Sequence, residues 1–161
     1  MSHSWHDNAG AKWVALEEWA TRFEAAKGRP PMLWLDKACI NQQDIAASLA
    51  CLPVYLAGCQ KLLVLAGKTY KERLWCVVEV FTFVRMGGLR ENMKMTALGG
   101  TEIHEGLAKF DARKAQCFLP RDRHKLCAIV EAGFGDLRPF NRVVRAILVK
   151  DHAAPAEQEK L

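Results

Sequence analysis

Leu62-Leu-Val-Leu-Ala-Gly67-Lys-Thr-Tyr-Lys-Glu-Arg-Leu-Trp75-Cys-Val-Val-Glu79-Val-Phe-Thr-Phe83 carries the fold in miniature. Five consecutive apolar residues, Leu62 to Ala66, fit a strand covered on both faces, as parallel sheets require. Gly67 to Lys71 is a polar loop, and the apolar positions after it recur at helical spacing until Gly87-Gly88 stops them. A buried strand feeding a buried helix through a short loop is half of a βαβ unit. Within that helix stands one carboxylate, Glu79, a turn after Trp75 and on the same face. A helix apolar nearly all round is buried, and a buried carboxylate must be paired, protonated or poised over a ligand.

Reading outward, helices alternate with short apolar segments. Ala11 to Lys27 places Trp13, Leu16, Trp19, Ala20 and Phe23 on one stripe, ended by Gly28, Pro30 and Pro31. Met32 to Leu35 reads as a buried strand that runs into a polar loop, Asp36 to Asp44. Ile45, Leu49, Leu52 and Leu56 keep helical spacing up to Gly58, with Pro53 expected to kink or split the helix. Met93 to Leu98 reads as a sheet-edge strand, since Lys94 and Thr96 alternate with apolar residues. A short helix over Ile103 to Phe110, a fourth strand near Ala115 to Phe118, and a helix opened by Pro120 and closed by Gly133 follow. Leu137, Phe140, Val143, Val144, Ile147 and Leu148 define a last amphipathic helix whose other face bears Arg138, Arg142 and Arg145. The order implies one doubly wound α/β domain over residues 1–150, with helices on both faces of a parallel sheet and a disordered tail over 151–161. Ligands in such folds sit outside the carboxyl ends of the strands, which singles out the loops at Ser4–Asp7, Asp36–Asp44 and Gly67–Arg73.

The 161 residues are 50% hydrophobic and carry a net charge of +5, so the surface field favours anions such as phosphates. Basic residues concentrate between Lys109 and Lys125, but aromatic residues are sparse there, which argues against a nucleic-acid binder. The six cysteines show no CxxC spacing and read as reduced, mostly buried residues of a cytoplasmic protein. His3 and His6 lack further ligands in a metal-site spacing, and no metal is expected. No apolar run reaches the roughly 18 residues that cross a bilayer, and no signal-peptide core is present near Met1, so no membrane association is expected. Gly67-Lys68-Thr69 imitates the end of a phosphate-binding P-loop, yet the glycine required five residues earlier is Leu62.

Three segments in order carry a resemblance. Ser2-His-Ser-Trp-His-Asp7 resembles the Ser-Tyr-Ser-Trp-x-x-Asp type sequence that ends the first strand of TIR domains. Trp34-Leu-Asp-Lys-Ala-Cys-Ile-Asn-Gln42 is similar to the Trp-Ile-Asp-x-x-Cys-Ile-Asn-Gln motif of fungal heterokaryon-incompatibility domains. Trp75-Cys-Val-Val-Glu79 matches the Trp-Cys-x-x-Glu motif of plant-type TIR domains, although that family commonly has Leu and a polar residue where Val77-Val78 stand. Together the segments span roughly residues 2 to 88. The resemblance implies a flavodoxin-like, TIR-like signalling domain of innate immunity or cell death, with Glu79 the catalytic residue of NAD hydrolysis. It implies a first strand at the middle of the sheet; because only Met1 precedes Ser2, that strand is expected to be truncated, a complete form carrying roughly four to six more apolar residues.

The residues permit that chemistry. Breaking the nicotinamide–ribose bond builds positive charge on the sugar carbon, which one preorganised carboxylate stabilises. The leaving nicotinamide is already cationic in NAD, so no general acid and no cofactor is needed, NAD being the substrate. Ser4, Trp5, Trp34, Asp36 and Trp75 are the expected binding residues, the indoles offering faces for stacking. Plainer alternatives stand beside these: an ion pair of Glu79 with Arg73 or Lys71, core packing of Trp75, and loop capping by Asp36; Cys39, in an Asp-x-x-Cys setting, has no His placed by the sequence to activate it as a nucleophile and reads as a buried small residue. The alternative function is a non-catalytic module that associates with like domains.

Overall fold

In the computed structural model, which describes residues 1–41, 45–99 and 103–149, the strand β2, Leu62–Ala66, is buried on both faces. It pairs in parallel with β3, Met93–Ala97, from Leu62 opposite Met93 to Ala66 opposite Ala97. On its other side it pairs in parallel with β1, only Ser2–His3, at Val64 and Leu65. The sheet order is β1-β2-β3, so β1 lies at an edge of the described sheet.

Alternation along β2 sends its side chains into two apolar clusters. Leu62, Val64 and Ala66 meet α4, Leu74–Arg85, and α7, Leu137–Val149, through Val77, Val80, Phe140 and Val144. Leu63 and Leu65, with Leu98, meet α1, Ala9–Lys27, through Ala15, Leu16 and Trp19. The first cluster is far larger and includes an edge-to-face triad, Phe81, Phe134 and Phe140, whose ring centroids lie 5.1 to 5.7 Å apart. Phe134 belongs to α6, Pro120–Phe134, so the triad ties three helices together. A mixed α/β architecture with a three-stranded parallel sheet is therefore present.

Several expectations fail, each for a physical reason. Met32 to Leu35 is not a strand: in place of a ladder with β1, the Met1 ammonium just before it donates to Trp34 O at 2.7 Å, and Met32 is 93% exposed. The fourth strand shrinks to one parallel bridge, Arg73 opposite Gln116, with Leu74 N–H donating to Gln116 O and Gln116 N–H to Glu72 O. Gly133 lies inside α6, and the left-handed Gly135 (φ 73°) closes it. No residue of α1 is buried, and Trp13 is 61% exposed. Of the cysteines, all six free, Cys76 is buried, whereas Cys39 and Cys51 are exposed. α3, Ile45–Ala57, contains Pro53 and is not split there. The remaining helices are α2, Asp36–Cys39, and α5, Ile103–Ala108. Among the described residues no helix is long and apolar enough to cross a membrane. The tail over 151–161 lies outside the described residues.

Candidate functional site

Asp7 organises the loops at the carboxyl ends of β1 and β2. Its carboxylate accepts Gly67 N–H at 3.0 Å, Thr69 N–H at 2.9 Å and the Thr69 hydroxyl at 2.8 Å. A side chain at position 67 has no room, since a Cβ there would stand 2.4 Å from Asp7 Cγ. Ser4 Oγ lies 2.7 Å from Thr69 Oγ1 and accepts His6 N–H at 3.2 Å. The Gly67-Lys68-Thr69 segment is thus a docking point for the first loop, which accounts for its glycine without any phosphate.

Above this lock opens a cleft of about 360 Å³. Its walls come from His3, Ser4, Trp5 and His6 after β1, from Asp36, Lys37 and Ile40 of and beside α2, from Arg73, Trp75 and Cys76 at the start of α4, and from Cys117, Phe118, Leu119 and Asp122. The Arg73–Gln116 bridge brings the 117–119 segment alongside α4 to form the far wall. All three loops singled out by the strand-end rule reach this place.

Trp5 is half exposed, donates weakly to Asp36 Oδ2 at 3.5 Å, and carries Lys37 Nζ 4.8 Å and Lys12 Nζ 5.6 Å from its ring centroid. Phe118, 80% exposed, lies 6.4 Å from the His6 ring. Two aromatic faces and the cations Lys37 and Arg73 suit a planar ligand bearing anionic groups. Asp36 Oδ1 also accepts Lys37 N–H at 2.6 Å, the expected local cap. His3 packs edge-on against Trp5 at 4.3 Å; burial, aided by Lys12, depresses its pKa to about 4, so it is neutral at pH 7.

Glu79 does not line the cleft. It lies one turn behind Trp75 and Cys76, 2% exposed, and accepts the Ser2 hydroxyl at 2.6 Å rather than bonding Arg73 or Lys71. Burial foremost, and then the charge of Asp36, push its pKa up to about 8, against the Ser2 hydrogen bond and the nearby Met1 ammonium, which favour the anion. The buried Trp75 Nε1 approaches the same carboxyl without meeting hydrogen-bond geometry. Cys76 Sγ donates to His3 O at 3.2 Å, and burial holds its thiol far above the ordinary range.

Of the expected residues, the structure brings Ser4, Trp5, Asp36 and Trp75 to the cleft and sets Glu79 behind it. Trp34 stands apart, stacked on Tyr55 with centroids 5.7 Å apart. Sequence reasoning did not anticipate His3, Lys37, Phe118 or Asp122 as lining residues. His3 adjoins the expected Ser4 and Lys37 lies in the Asp36–Asp44 loop, whereas Phe118 and Asp122 lie far along the chain from all three strand-end loops and carried no sequence signal. Among the described residues no group of three or more His, Cys, Asp and Glu side chains is arranged to hold a metal ion. No family model, no curated protein and no solved structure significantly matches this chain.

Proposed function

We propose that the chain is a TIR-like domain of flavodoxin-like, doubly wound type, acting in the cytoplasm and self-associating, whose cleft takes NAD and whose Glu79 cleaves the nicotinamide–ribose bond. One observation carries this reading: a carboxyl directly behind the cleft wall is held by the neutral hydroxyl of Ser2, not by an Arg or Lys side chain. A carboxylate locked to a guanidinium is an anchor, whereas one held by a hydroxyl has its charge free for a developing cation once it is ionised. In the reaction the C1′–N bond breaks with its electron pair leaving on nicotinamide, water oxygen bonds to C1′, and the water's second proton is released. Glu79 stabilises the positive C1′ only when ionised and unscreened. Trp75 or His3 must therefore swing aside, and turnover should rise with pH toward about 8.

The test is nicotinamide release from NAD by purified protein, compared with Glu79→Gln, which keeps the shape and a partner for Ser2. A loss of 10²-fold or more, on the order expected for a charge-stabilising group, supports the reading. Wild-type release no faster than the variant's overturns it. The second reading, a non-catalytic interaction module, is favoured by the 2% exposure of Glu79, and it takes over in that case.

A further inference from the structure

Three polar side chains meet in the core beneath the cleft, and the mechanism above leaves one of them, Tyr70, unused. Tyr70 is fully buried in the loop before α4; its hydroxyl lies 2.9 Å from Ser2 Oγ, and Ser2 Oγ lies 2.6 Å from Glu79 Oε2. The Cys76 carbonyl oxygen is within 3.3 Å of the Tyr70 hydroxyl and 3.5 Å of Ser2 Oγ. Each hydroxyl has one proton to donate, so the arrangement has two self-consistent settings. With Glu79 ionised, Tyr70 donates to Ser2 and Ser2 to Glu79. With Glu79 protonated, Glu79 donates to Ser2, Ser2 to Tyr70, and Tyr70 to the Cys76 carbonyl.

We propose that Tyr70 is a positioning residue for the Glu79 carboxyl, acting through Ser2 Oγ as a two-link hydrogen-bond relay whose direction reverses when Glu79 gains or loses its proton. Cooperative polarisation makes the ionised setting the stronger chain, so the relay favours the anion that burial disfavours. The charged groups that bear on the carboxyl are the Met1 ammonium and Asp36. Cys76, the nearest titratable group on α4, stays neutral. The consequence for turnover rests on Glu79 being the reacting carboxylate; the relay itself does not.

The experiment follows the Glu79 carboxyl by carbon NMR across pH 6 to 10, with the tyrosines replaced by 3-fluorotyrosine in a second sample. Only Tyr55 and Tyr70 carry the fluorine label. The Tyr70 fluorine signal is expected to shift at the same midpoint as Glu79, and this needs no destabilising substitution. Tyr70→Phe should raise the Glu79 midpoint by up to about one pH unit, roughly the worth of one neutral hydrogen bond. Ser2→Ala should raise it at least as far, and Tyr70→Phe in the Ser2→Ala background should add nothing. A Tyr70 signal blind to the Glu79 titration, or Tyr70 and Ser2 effects that simply add, would overturn the relay. Absent NAD cleavage with the relay intact removes the catalytic reading alone; NAD cleavage with additive shifts removes the relay alone.

Discussion

Asp7 serves three donors on one loop, and its neighbour Gly67 leaves space for nothing larger than hydrogen. Truncating Asp7 strands two backbone N–H groups, one of them on a buried glycine, and each orphaned donor costs on the order of 1–3 kcal/mol. Asp7→Ala is therefore expected to lower unfolding free energy by about 3 kcal/mol in urea denaturation. Gly67→Ala must push the same carboxylate away, so the two losses should be strongly non-additive in the double variant. Additive losses would show that the Cβ at position 67 is accommodated without breaking the lock. By contrast Trp13, 61% exposed, should tolerate Ala within about 0.5 kcal/mol, although its spacing on the apolar stripe suggested a core residue.

The helices differ in how firmly they are held. α4 buries Leu74, Cys76, Val77, Glu79, Val80 and Phe83, and its end is closed by two crossed hydrogen bonds, Gly88 N–H to Phe83 O at 2.9 Å and Gly87 N–H to Val84 O at 3.2 Å. Gly87 takes φ 93°, and a Cβ on Gly88 would stand 2.4 Å from the Phe83 ring. This is a Schellman closure, with the second glycine required by packing rather than by its own dihedral. α1 has a sound start, Asn8 Oδ1 accepting Ala11 N–H at 2.8 Å, and a left-handed Gly28 at its end, yet it buries no residue fully. Local opening free energy follows buried contacts more than caps. Native-state hydrogen exchange should therefore be at least about 10²-fold faster for central α1 amides than for central α4 amides. Equal protection would mean that α1 is covered by a surface absent from the monomer.

At the scale of the molecule, two buried groups oppose one another in the dependence of stability on pH. Glu79 keeps its proton to about 8 in the fold against 4.5 ordinarily, so stability due to it is fullest below 4.5 and is lost as pH rises to 8. His3, depressed to about 4 from 6.5, acts the other way: stability due to it is lost as pH falls from 6.5 to 4. Unfolding free energy should be nearly level between about 4.5 and 6.5; above 6.5 the loss due to Glu79 is opposed by the buried Met1 ammonium, whose pKa burial lowers from 8.0, so the Glu79 share is read by comparison with Glu79→Gln. Glu79→Gln should remove the Glu79 share and be the more stable protein at pH 8, by on the order of 3 kcal/mol; a variant that gains nothing on wild type between pH 6.5 and 8 would contradict the raised pKa. What the sequence determined by itself is local. The continuous run Leu62–Ala66 reads as a doubly covered strand, and the apolar spacing with Gly87-Gly88 reads as a buried, glycine-stopped helix holding one carboxylate. These follow from periodicity and backbone stereochemistry, which act over a few residues. Only the tertiary structure decided which apolar segments found partners. Met32–Leu35 and Ala115–Phe118 have strand composition but lack neighbours with free ladder positions, because β1 supplies only two residues and the Arg73–Gln116 bridge stands alone. The cleft was likewise hidden, since His3, Lys37, Phe118 and Asp122 converge from distant segments. Burial of Glu79 could be read from its helix, but its partner could not: Ser2 is 77 residues away, and a contact of that separation exists only once parallel pairing has brought β1 beside β2.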